Sequence, residues 1–130
     1  RIMGIESEKV PAKDAALIIS KEEIFSRALS QESFLINYPE SLRKNEIENL
    51  FNKYTYFIYY GLNNTPLFDF YTEKMKEEDV AVYLKVINDN PESPLIKDLI
   101  VFMDILEKNN FTLDSTSKEF RNTISPGLDV

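Results

Sequence analysis

Tyrosines and carboxylates have the most to offer chemically in this sequence. Nine of the 16 Phe and Tyr residues fall between Phe51 and Tyr71, and Tyr54-Thr55-Tyr56-Phe57-Ile58-Tyr59-Tyr60 alone holds five. On a helix, Phe51, Tyr54, Phe57 and Ile58 recur at spacings of three and four, so they read as one core-facing stripe. Tyr56, Tyr59 and Tyr60 fall off that stripe. Tyrosine combines a large, stiff apolar ring with a polar tip and is enriched in binding hot spots. These three are therefore the expected protein-recognition patch. The competing reading is a helix buried on two sides, with the hydroxyls reaching water at its edges.

Carboxylates form the second concentration. Residues 69–114 hold 11 acids and 5 bases, a net of −6, and Glu73, Glu77, Glu78 and Asp79 are the densest part. With Glu73 and Glu77 placed on one helical face, Glu73, Glu77 and Glu78 complete the expected protein-binding set. Such a cluster suits a basic partner, a hard cation or a solvated helix face. Other chemistry is closed off by composition. With no His and no Cys, the chain cannot supply a Ser-His-Asp triad, a thiol nucleophile, a disulfide or a zinc finger. The Glu-x-x-His pairs of a ferritin-type di-iron bundle are missing for the same reason. The stretch after Asp89 cannot form an EF-hand, because Pro91 comes early and the turn lacks Gly. Gly4, Gly61 and Gly127 stand too far apart for a phosphate-cradling loop. A carboxylate-pair hydrolase has no distinguishing signal among 22 acids, and the chain lacks the Trp that usually lines sugar subsites. The expectation is a non-enzymatic chain with no metal and no cofactor.

A net charge of −7 and a pI near 4.7 disfavour nucleic acid and anionic membrane surfaces. No apolar run approaches the ~18 residues of a spanning helix. The first residue is Arg1, so a tag, signal peptide, lipid-bearing segment or further domain is expected upstream. The reading leans to an exported or surface-anchored bacterial setting over a cytoplasmic one. Asn63-Asn64-Thr65 and Asn110-Phe111-Thr112 match the glycosylation triplet, which matters only in a eukaryotic secretory context.

The elements that must position these residues read as helices. Residues 1–19 form an irregular or short-helical lead-in broken by Pro11. Ser20 and Glu23 make a capping box for a helix that stops before Pro39. Pro39 opens the next helix, which ends at Tyr60 with Gly61 as a left-handed stop. Thr65 and Pro66 start a third, reaching Asp89. Ser93 and Pro94 start a fourth, apolar on most of its circumference and therefore central, ending at Asn109-Asn110. Thr116 and Glu119 cap a short last helix, stopped by Ser125-Pro126-Gly127. The fold class is all-α, a compact bundle of four to five helices, with residues 20–130 as a single helical domain. The expected function is protein binding, with a homo-oligomer allowed. The alternatives are an acidic inhibitor or immunity-type protein for a basic enzyme, and a ligand carrier or hydrolase using a cavity between helices.

Overall fold

A computed structural model describes residues 2–13, 16–62 and 64–125, and these described residues form six helices and two two-stranded pairs. Pro126 and Gly127 of the expected stop, and Asn63 of the first Asn-x-Thr triplet, lie outside the described residues. The fold is all-α, as the hydrophobic spacing and caps imply. The chain divides into two compact units, Arg1–Thr65 and Pro66–Val130.

In the first unit the lead-in is α1 (Ile2–Glu8), then β1 (Ala12–Lys13) paired antiparallel with β2 (Ala16–Leu17). Two long helices follow, α2 (Lys21–Asn37) and α3 (Lys44–Tyr60), packed on one another. The Ser20 hydroxyl accepts from the Glu23 amide at 3.1 Å and fixes the start of α2. Glu23 does not complete the box; its carboxylate turns along the helix to Arg27. Burial follows the helical period: Ile24, Phe25 and Ala28 from α2, and Ile47, Tyr54, Phe57, Ile58 and Tyr59 from α3. The helix expected from Pro39 starts at Lys44. Ser41 explains the delay, because it holds residues 38–44 in turns: its amide donates to the Tyr38 carbonyl, its hydroxyl accepts from the Arg43 amide, and its carbonyl accepts from the Lys44 amide, each at 3.1 Å. Gly61 ends α3 with a φ of 72°, which a side chain would strain. It also opens β3 (Gly61–Leu62), which pairs with β4 (Thr65–Pro66), and the Thr65 hydroxyl accepts from the Leu17 amide at 2.9 Å.

In the second unit the expected start of the third helix moves by eleven residues, from Pro66 to Glu77. Thr65 and Pro66 are strand rather than cap, and α4 spans Glu77–Asp89. The Asp69 carboxylate accepts from the Tyr71 and Thr72 amides at 2.8 and 2.9 Å, offering this stretch turns instead of helix. Bridges Phe68↔Met75 and Lys74↔Thr112 then shape the loop. Phe68 and Met75 reach the core, but Tyr71 is 96% exposed. Helix α5 (Pro94–Glu107) starts as expected, with the Ser93 hydroxyl accepting from the Ile96 amide at 3.3 Å. It buries Leu95, Ile96, Leu99, Phe102, Met103 and Leu106, which makes it the unit's core helix. Helix α6 (Ser115–Ile124) is capped by Asp114 and not by Thr116. Asp114 and Ser117 exchange reciprocal side chain–backbone bonds of 2.8 Å, and aspartate is the better N-cap.

Candidate functional site

Helix α3 sorts its tyrosines into two sets. Tyr56 and Tyr60, one turn apart, stack with ring centroids 4.7 Å apart and planes 12° from parallel, both half-buried. Tyr59 does not join them. It is 0% exposed and is core, which corrects its place in the expected patch. The second half of α3 buries a wide arc, Tyr54, Thr55, Phe57, Ile58 and Tyr59, and Tyr59 lies one turn beyond Thr55 on that arc.

The acidic set also separates. Glu73 lies outside α4, in the left-handed region at φ 57°, so it shares no helical face with Glu77. Its carbonyl accepts from the Leu113 amide at 2.9 Å, and its carboxylate meets Lys118 at 3.4 Å. Glu77 and Glu78 are exposed in the first turn of α4, where negative charge complements the helix dipole. Asp79 beside them is buried. Among the described residues no three carboxylates gather closely enough to hold a metal ion. Tyr56 and Tyr60 belong to the first unit, and the glutamates to the second.

A polar cluster that the sequence reading missed lies beneath α1. Arg27, only 7% exposed, donates through Nη1 to Glu6 Oε2 at 2.9 Å, to the Lys9 carbonyl at 2.8 Å and to the Tyr54 hydroxyl at 3.1 Å. Its Nε donates to Glu23 at 2.8 Å, and the Tyr54 hydroxyl donates to Glu6 at 2.5 Å. The signal was present in the spacing. Ile24, Arg27, Ala28 and Gln31 fall at i, i+3, i+4 and i+7, so Arg27 and Gln31 occupy the face that α2 buries. Both side-chain polar atoms of Gln31 lack a hydrogen-bond partner among the described residues. The adjoining cavity, about 10 Å³ and lined by Ile2, Ile5, Glu6, Arg27 and Ser30, has room for one water.

Burial, followed by the hydrogen bond to the Glu6 carboxylate and its charge, pushes the Tyr54 phenol well above its ordinary range, against the opposing pull of Arg27. Burial alone would lower the Arg27 guanidinium, but its bonds to Glu23 and Tyr54 and the charge of Glu6 outweigh that and raise it. A phenol whose native pKa lies above its unfolded value, near 10, contributes fully below that pH. The contribution falls as the unfolded chain ionises above pH 10. Stability of the wild type should therefore drop faster than that of Tyr54→Phe above pH 10, by at most about 1.4 kcal/mol per pH unit. Urea midpoints at pH 8 to 11.5 (roughly spanning that titration) check it; parallel profiles would show that the phenol is solvated.

Comparisons with protein-family models, with curated proteins and with solved structures find no match to this chain.

Proposed function

We propose that the chain is a non-catalytic helical module that binds a protein, with Tyr56 and Tyr60 at the centre of its recognition face. One observation carries this reading: two partly buried tyrosines already stacked at 4.7 Å on a helix whose opposite arc is core. Rings held in place lose little freedom on binding, and their hydroxyls can pair at the edge of a contact. Helix α3 supplies the rigidity, because Tyr54, Phe57, Ile58 and Tyr59 anchor it.

If the pair serves recognition rather than folding, Tyr56→Ser/Tyr60→Ser should cost only about 2 kcal/mol, the worth of a stacked aromatic pair together with the area that two partly covered rings bury. Thermal melts followed by far-UV circular dichroism read this directly. A loss several times larger would make the pair a packing element and remove the site. The reading retains an exported or surface-anchored bacterial setting, which fractionation of the source cells tests.

A second reading has its own support. The unit Pro66–Val130 carries 13 acids against 7 bases, a net of −6, whereas Arg1–Thr65 is near neutral at −1. Glu77 and Glu78 are exposed on the acidic unit. An acidic inhibitor of a basic enzyme would use this charge to speed encounter, so its association rate would fall steeply with added salt. A salt-independent rate would count against it.

A further inference from the structure

The first unit contains an apolar cavity of about 440 Å³ lined by Ile2 and Met3 of α1, Phe34 of α2, Ile47 of α3, and Arg43 just before α3. Its volume is in the range of pockets that hold small organic ligands, about 300–1,000 Å³. We propose that this cavity binds a single-chain amphiphile with a carboxylate head, such as a medium-chain fatty acid, independently of the protein-binding reading above.

The lining dictates that chemistry. Among the described residues, four with apolar side chains form the walls, and the fifth lining residue, Arg43, brings a guanidinium to the site. Apolar walls take methylenes, each favourable to bury, and Met3 is an adaptable filler. A guanidinium offers a planar fork of donors that matches a carboxylate. Arg43 is 64% exposed, and its Nη1 meets Glu46, itself 58% exposed, at 3.6 Å. An exposed pair at that distance is weak and can give way to a better-placed carboxylate. Among the described residues the lining itself carries no carboxylate for a cationic amphiphile, the nearby Glu46 being paired with Arg43, and it offers a sugar one polar side chain. Phe34 also contacts the exposed Tyr38, with ring centroids 5.3 Å apart, so aromatic surface continues from the wall to the outside.

The test is a titration of the full chain with octanoate, decanoate and decanol below their aggregation concentrations, following the methyl resonances of Ile2, Met3 and Ile47. Decanoate should shift these methyls saturably. It should bind more tightly than octanoate by about fifteenfold, from about fourfold per methylene. Arg43→Gln should weaken decanoate about tenfold, Arg43→Lys by less, and neither should change decanol. Arg43 is exposed, so both variants should keep the wild-type circular dichroism spectrum. Three results would each overturn the proposal: no saturable shift at millimolar decanoate, shifts confined to other methyls, or equal decanoate affinity in Arg43→Gln and wild type.

Discussion

Arg27→Ala should destabilise the chain by about 3–5 kcal/mol, the cost of removing one partner from a buried ion pair. The substitution strands the Glu6 carboxylate, 12% exposed, against a Tyr54 hydroxyl with no cation beside either. It also removes the donor that holds the Lys9 carbonyl, and so loosens the hold on α1 and the residues after it. Glu23, which is 44% exposed, contributes little to the loss because water can solvate it. Urea denaturation gives the number. A companion variant separates pairing from packing: Glu6→Leu/Arg27→Met/Tyr54→Phe removes the whole cluster and should recover most of the stability, since well-packed apolar groups can replace a buried ionic network at no net cost. A single-variant loss below about 1 kcal/mol would place Arg27 with surface ion pairs and remove the cluster from the account.

Phe102→Ala should cost about 3–5 kcal/mol in the second unit, as for other buried Phe-to-Ala changes. Phe102 is fully buried on α5 and sits between two rings, Phe68 edge-on at 6.3 Å and Phe120 stacked at 6.2 Å. Its removal therefore forfeits two aromatic contacts as well as buried area. Phe68 in turn lies under Arg121, whose guanidinium carbon is 5.6 Å from the ring centroid, so the cavity would disturb α6 through both residues. Phe102→Leu should cost markedly less, because it leaves a smaller void. Similar denaturation midpoints for Phe102→Ala and wild type would mean that the α5 face is not the core of this unit.

Several caps and stops set by neighbouring residues were legible in the sequence, and features set by distant residues were not. Ser20, Gly61 and Ser93 work where expected because a cap or a left-handed stop involves only a few adjacent residues. The start of α4 was missed for an equally local reason that periodicity does not see. The apolar spacing of Phe68, Tyr71 and Met75 suits a helix, but Asp69 captures the amides of Tyr71 and Thr72 and makes a turn. Asp114 prevailed over Thr116 at α6 in the same way.

The candidate site was half legible. Spacing identifies α3 as the tyrosine helix, but a single stripe underestimates how wide an arc that helix buries, so Tyr59, off the stripe, falls in the expected patch unless the helix is buried on two sides. Arg27 was passed over because an arginine inside a helix usually faces water, and its partner Glu6 lay in a lead-in with no readable pattern. Only the fold brings Glu6, Arg27 and Tyr54 within hydrogen-bond distance across separations of 21 and 27 residues.

The central claim is that the stacked pair Tyr56 and Tyr60 recognises a protein. Its most direct test is photo-crosslinking in source cells from an exposed position beside the pair, Asn52 or Lys53, in wild type and in Tyr56→Ser/Tyr60→Ser. Leu84→Ser, an exposed change in the other unit, serves as control. The account expects a discrete crosslinked species in wild type and control that disappears in the double variant, while its melting temperature falls only by the several degrees that a loss of about 2 kcal/mol implies. The same species persisting in the double variant would contradict it.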